Sequence, residues 1–107
     1  MCNFIVPSVI KRNPLTIAIS TSGISPALSR SIRRELEKIY GSEFSYYLRS
    51  LKKVRAKAME SILNKKERER FLKAVASEKM IGLLRGKGYR EAKRVADDLL
   101  RAAKVAS

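Results

Sequence analysis

Residues 15–41 read LTIAISTSGISPALSRSIRRELEKIYG, and the pattern changes its period in the middle. Leu15 to Thr21 has the length of one strand, and Thr16, Ile17 and Ile19 favour pleated geometry. Gly23 marks a turn. From Ser25 the spacing becomes helical: Ser25 fits an N-cap, and Pro26 fits the first helical position, where its missing N–H costs nothing. Leu28, Ile32, Leu36 and Ile39 then recur on one helix face, and Gly41 suits the stop. A strand that passes through a glycine turn into a capped helix is the step that decides the fold.

Upstream, Phe4 to Ile10 is an apolar run interrupted by Pro7, and Lys11 to Pro14 supplies turn chemistry, so a β-hairpin is predicted. Pro7 lacks a ladder donor, which makes the first strand an edge or a bulged one. An exposed edge in so small a sheet must be covered, and a second copy of the chain is the obvious candidate. Downstream, Ser42 fits the cap of a long helix with Phe44, Tyr47, Leu48, Leu51, Val54, Ala58 and Ile62 on one stripe. Asn64 marks a break, Arg68 to Ala76 is helical, and Ser77 restarts a helix through Leu84. Residues 85–88 (RGKG) read as a basic turn. Tyr89 to Val105 forms the last helix, burying Ala92, Val95, Ala96, Leu99 and Ala103. The expected class is α+β: a small β-hairpin and dimerisation element in residues 1–41, followed by a helical bundle in residues 42–107.

At 107 residues the chain is one domain or a domain and a half. Lys and Arg number 24 against 10 acidic residues, a net charge of +14. The excess is uneven. Residues 1–43 hold six basic and three acidic side chains, residues 44–107 eighteen and seven, so most of the charge lies on the helical part. There is no His, no Trp and a single Cys, Cys2. That excludes a His general base, a His-ligated metal and the usual protease triads. One thiol makes neither an internal disulfide nor a zinc site, and leans towards a cytoplasmic location. The expectation is therefore no metal ligand and no catalytic residue in this chain. The start carries no targeting pattern and no segment reads as a transmembrane helix, so no membrane partner is expected.

Three groups of residues remain as candidates. Ser20 to Pro26 leads from a strand to a helix N-terminus, which offers N–H groups and a dipole to an anion. It lacks the Gly-Lys-Ser/Thr ending of a P-loop. The alternative is a turn whose hydroxyls satisfy their own backbone. Arg30 and Arg34 share a face of the first helix, with Arg33 beside them, and such a cluster binds carboxylate or phosphate, or else is a solvated face offset by Glu35 and Glu37. Arg49, Lys52, Lys53, Arg55 and Lys57 lie mostly off the apolar stripe of the second helix. They suit nucleic acid, an anionic membrane or a polycarboxylate, although no nucleic-acid motif accompanies them. Asp97 and Asp98 point about 100° apart on a helix and make no shared site.

The block running from Phe4, Pro7, Ser8 and Arg12 through Leu15, Ile17, Ala18, Ile19, Ser20, Thr21, Gly23, Ser25, Pro26 and Leu28 to Arg30, Arg33, Leu36 and Glu37 resembles one family. This is the precorrin-2 dehydrogenase/sirohydrochlorin ferrochelatase family, including the siroheme synthase N-terminal module. Glu67, Arg68, Arg70 and Phe71 resemble it more loosely. The resemblance implies a dimerisation segment and a C-terminal helical domain that act in siroheme biosynthesis. It implies precorrin-2 or sirohydrochlorin as ligand, a homodimer, and Ser20, Thr21, Ser25 and Arg30 as tetrapyrrole-binding residues. The family's NAD-binding Rossmann domain and its proposed catalytic aspartate have no counterpart here. NAD is thus expected for a complete enzyme, in a separate or missing domain, and this chain is not expected to be a dehydrogenase alone. Ser22 stands where the family usually has a glycine. The alternative function from another class is a basic nucleic-acid-binding helical module without enzymatic activity.

Overall fold

The computed structural model describes residues 6–107, so Cys2 and Phe4 lie outside the described residues. Two strands precede five helices: β1 (Ser8–Arg12), β2 (Leu15–Ile19), α1 (Pro26–Ile39), α2 (Ser42–Ser61), α3 (Lys65–Ala74), α4 (Glu78–Lys87) and α5 (Tyr89–Ala106). The chain divides into two compact units between Ser45 and Tyr46, inside α2.

In the first unit β1 and β2 pair antiparallel, with Ser8 opposite Ile19, Ile10 opposite Ile17 and Arg12 opposite Leu15. The turn is tighter than the sequence suggests: Lys11 and Arg12 continue the strand, and only Asn13 and Pro14 connect it to β2. Successive side chains on a strand face opposite sides. One face therefore carries Ile10, Leu15, Ile17 and Ile19, while Thr16 and Ala18 on the other are exposed. Ile10 is the buried centre. Helix α1 packs against both strands, mainly β1. Arg12 ties the two together: its Nε donates to the Tyr40 carbonyl over 2.9 Å. Tyr40 is the C-cap of α1, so a cation sits at the negative end of that helix. The rings of Tyr40 and Phe44 are 5.0 Å apart and tilted by 59°.

Ser25 caps α1 and Pro26 opens it, as the sequence predicts; the Ser25 hydroxyl accepts from the Leu28 N–H. The expected apolar stripe behaves differently. Leu28 is exposed, Ile32, Leu36 and Ile39 are half-buried, and Ser29 is the buried residue of α1. A two-stranded hairpin is too narrow to cover a whole helix face, and here it covers the side that carries Ser29. At the far end Gly41 follows the C-cap without entering the left-handed region. Ser42 is the first residue of α2 rather than its cap.

The second unit is thicker. Tyr47, Val54, Ala58 and Ile62 of α2 and its exit are buried with Phe71, Val75, Met80 and Leu84. On α5, Ala92, Ala96, Leu100 and Ala103 are buried, and the helix packs against α3 and α4. Leu100 takes the place expected of Leu99, which is half-buried with Val95. Asn64 is the cap of α3, its Oδ1 accepting from the Glu67 N–H over 3.1 Å. Ser77 caps α4 through the Met80 N–H. The basic turn expected at 85–88 is instead the last turn of α4; only Gly88, at φ +93°, leaves the helical region. No helix among the described residues is long and apolar enough to cross a membrane.

Candidate functional site

The loop from β2 to α1 satisfies most of its backbone internally. Thr21 Oγ1 accepts from the Ser25 N–H over 2.9 Å, Ser20 Oγ accepts from the Ser22 N–H over 3.1 Å, and the Thr21 carbonyl accepts from the Ile24 N–H over 3.1 Å. With Leu28 bonded to Ser25 and Pro26 lacking a donor, few N–H groups remain for an anion. The hydroxyl protons of Ser20, Thr21 and Ser25 are also left at this end, since each of these oxygens is an acceptor in the bonds above. The second sequence reading, hydroxyls bonded to their own backbone, thus describes the turn itself.

Beside this turn lies a cavity of about 410 Å³. Ser20, Thr21 and Gly23 form its loop wall, Ser8 of β1 with Ser29, Arg30 and Arg33 of α1 add polar groups, and Val6, Pro7 and Pro26 complete it with apolar ones. The sequence candidates Ser20, Thr21 and Arg30 come together here. Ser25 is not part of the lining and serves as the helix cap. Arg34 is exposed and does not reach the cavity, whereas Arg33 does. The reason is helical geometry: Arg33 lies one turn beyond Ser29, the residue of α1 turned to the hairpin. The Ser29/Arg33 spacing opposite Ser8 was the signal available in the sequence. It becomes readable only once the hairpin is known to cover that side of α1.

The wall has a defined hydrogen-bond direction. Ser29 Oγ donates to the Pro26 carbonyl over 2.9 Å, which uses its one proton. Its 3.3 Å contact with Ser8 Oγ therefore has Ser8 as donor. Both hydroxyls are committed to fixing α1 on β1. The cations are not. Arg30 makes no ion pair among the described residues. Arg33 Nε lies 3.4 Å from Glu37 Oε1 but is misaligned, and it is buried without a hydrogen-bond partner. No acidic side chain lines the cavity. Two arginines, free hydroxyl protons and no carboxylate make a concave site for an oxyanion, with Arg able to give two parallel N–H bonds to each carboxylate.

Other regions offer less. A larger cavity of about 680 Å³ in the helical unit is walled by Ala74, Met80, Leu83, Val95 and Leu99, and is apolar apart from Ser77 and Lys79. Asp97 and Asp98 are engaged in ion pairs with Lys93, Arg94 and Arg101. Among the described residues no three His, Cys, Asp or Glu side chains gather to hold a metal ion. A dinucleotide needs a parallel βαβ frame with a glycine-rich first turn. The described residues give an antiparallel hairpin and a turn with Gly23 alone, so they do not fit NAD.

Residues 12–39 match the family model described as sirohaem biosynthesis protein, central. The chain is 36% identical over 69 residues to a siroheme synthase of Salmonella arizonae, covering 64% of this chain and 15% of that protein. It is 32% identical over 84 residues to siroheme synthase 2 of Yersinia pestis, covering 78% of this chain and 18% of the relative. The chain thus spans less than a fifth of the length of these relatives. Its fold is similar to that of SirC, a precorrin-2 dehydrogenase, with a TM-score of 0.67 at 24% identity over 91% of this chain and 48% of that one. The matched central block contains Ser20, Thr21, Arg30 and Arg33, the loop and helix that wall the cavity. By these matches the chain is similar to the siroheme synthases over part of their length, and residues 12–39 carry the central segment of the sirohaem biosynthesis proteins.

Proposed function

We propose that this chain is the dimerisation and tetrapyrrole-binding part of a siroheme-pathway enzyme, acting in the cytoplasm on precorrin-2 or sirohydrochlorin. The observation that carries this reading is the acid-free cavity walled by Arg30, Arg33, Ser20 and Thr21. These macrocycles bear eight carboxylates, and a cationic concave site is complementary to that charge. The net charge of +14 favours approach of such a ligand as a whole. Within the cavity the arginines bind carboxylate, and Ser20 and Thr21 donate O–H bonds that fix orientation. Hydride transfer to NAD would belong to a Rossmann domain elsewhere, and iron would enter as substrate.

Dimerisation is proposed on the shape of the first unit. Both strands of its sheet are edges, and Val6, Val9, Ile24 and Leu28 are exposed beside them. Pairing two copies through this unit would cover those groups.

Titration of the chain with sirohydrochlorin, followed by absorbance, tests the binding reading. Arg30→Ala is expected to weaken binding about tenfold, the loss of one charge-assisted hydrogen-bonded pair. Equal affinity of the two proteins overturns the assignment. Sedimentation of the chain at high micromolar concentration tests the dimer; a monomer there overturns that part.

A further inference from the structure

In the helical unit the rings of Tyr46 on α2 and Tyr89 on α5 lie 5.7 Å apart, tilted by 43°. That is the spacing of a packed aromatic pair, yet this pair is not part of the core. Tyr46 is 52% exposed and Tyr89 is half-buried, while the neighbouring Tyr47 is buried. Cations flank the pair from two elements. Arg49 and Lys53 follow Tyr46 by three and seven residues, on the same face of α2. Lys87 and Arg90 stand within two residues of Tyr89, where α4 gives way to α5. All four are exposed, and none makes an ion pair among the described residues. Glu91, the acid nearest Tyr89 in the chain, is paired with Arg94.

We infer that this face of the helical unit binds single-stranded nucleic acid, with bases stacked on Tyr46 and Tyr89 and phosphates held by Arg49, Lys53, Lys87 and Arg90. None of these residues lines the hairpin cavity, and the inference does not rest on the tetrapyrrole reading. Aromatic rings beside free cations are what a single strand recognises, since every base has a π-face and the backbone is charged throughout. The bases of a duplex are already stacked on one another, so the rings would gain nothing from it. An acidic peptide would use the cations and leave the rings idle. An anionic membrane calls for exposed aliphatic side chains at the patch. Those of this unit, Met59, Leu63 and Val105, lie towards the opposite ends of α2 and α5. Stacking and phosphate contacts carry no base code, so the site should tolerate different sequences.

Fluorescence anisotropy of a labelled oligo(dT) strand, titrated with the chain at several salt concentrations, tests this. Binding is expected, and it should weaken as salt rises. Tyr46→Ala should lower the affinity about tenfold, whereas Tyr46→Phe, which keeps the ring, should not. Lys53→Gln and Arg90→Gln should each reduce the slope of log K against log salt by roughly 0.7, and Tyr46→Ala should leave that slope unchanged. Amide chemical shifts should move at Tyr46, Arg49, Tyr89 and Arg90 when the strand is added. Circular dichroism of each variant separates a lost site from a lost fold, and the Tyr46→Phe result holds whether or not Tyr46→Ala folds. No binding of the strand overturns the proposal. Equal or tighter binding of a duplex of the same length, of polyglutamate or of phosphatidylglycerol vesicles also overturns it, because cations alone would then account for the contact. Binding that Tyr46→Ala leaves unchanged overturns the role of the rings.

Discussion

The two units of this chain solve the problem of burial differently. Among the described residues the hairpin unit buries Ile10, Ser29 and Phe44, whereas the helical unit buries twelve side chains from Tyr47 to Ala103. On α5 the carboxylates of Glu91, Asp97 and Asp98 are all paired with Lys93, Arg94 or Arg101. The Arg94 side chain holds the Glu91 carboxyl below its usual range through a hydrogen bond. Among the described residues Arg30 of the hairpin unit has no ion-pair partner and Arg33 has a poor one. One unit has a deep apolar core, and the other buries few apolar side chains besides Ile10 and Phe44.

The largest expected effect tests this directly. Phe71 is 3% exposed in the helical unit. Phe71→Ala should cost about 3–5 kcal/mol, a large share of the roughly 5–15 kcal/mol a domain has. Ile10→Ala in the hairpin removes an equally buried side chain, but its neighbours Leu15, Ile17 and Ile19 are half-exposed and can close over the gap. Its cost should fall at or below the lower end of about 2–5 kcal/mol. Urea unfolding followed by circular dichroism gives both numbers. A hairpin substitution as costly as the helical one would break the comparison.

A second test concerns the polar group inside the larger core. The Tyr47 hydroxyl donates to the Val75 carbonyl over 2.7 Å, and burial pushes its pKa from 10.0 to about 12. Tyr47→Phe leaves that carbonyl unpaired and should cost about 1–3 kcal/mol. The pH dependence has a definite sign. The unfolded tyrosine loses its proton near 10 and the folded one near 12, so the unfolded state binds fewer protons between these values. The contribution of Tyr47 is complete below pH 10 and is lost as pH rises towards 12. The phenolate absorbance should show one tyrosine ionising near 12 that is missing from Tyr47→Phe. An ionisation near 10 that is lost in Tyr47→Phe would show that Tyr47 is not buried as described.

Much of the fold was legible because the signals were local. Ser25-Pro26 and Ser77 announce two helix starts by capping chemistry, and both are found. Asn64 reads only as a break in the sequence, yet it caps α3, which begins at Lys65 and not at the expected Arg68. The hairpin was legible from the β-branched residues of Leu15 to Thr21 and the turn chemistry of Lys11 to Pro14. What failed was whatever depends on a neighbour. Residues 85–88 looked like a turn because two glycines flank a lysine, yet helical packing holds Gly86 and only Gly88 breaks the helix. The stripe of Leu28, Ile32, Leu36 and Ile39 looked like the buried face of α1. The sheet that would cover it has only two strands, so burial passes to Ser29 instead. The same cause hid Arg33. Ser20, Thr21, Ser25 and Arg30 were named through the family resemblance, but the residue facing the hairpin could not be chosen before the hairpin's side was known.

The smallest expected effect asks where the hairpin unit keeps its strain. Ser22 has φ +57°, a left-handed conformation that costs a non-glycine residue about 1–2 kcal/mol. Glycine adopts that conformation without a steric cost. The bond from the Ser22 N–H to Ser20 Oγ uses the backbone, so Ser22→Gly keeps it. The Ser22 side chain makes no hydrogen bond of its own among the described residues. Relief of strain is partly offset by the entropy glycine loses on folding, about 0.5–1 kcal/mol. The net should be a stabilisation below about 1 kcal/mol, seen as a small rise in thermal midpoint. Ser22→Ala keeps the strained φ and gives no such rise. The contrast between the two variants isolates the backbone from the hydroxyl. A fall in midpoint for Ser22→Gly would mean that serine is favoured here through its side chain. A rise would place the strain in the backbone, in a loop whose shape glycine and serine both accept.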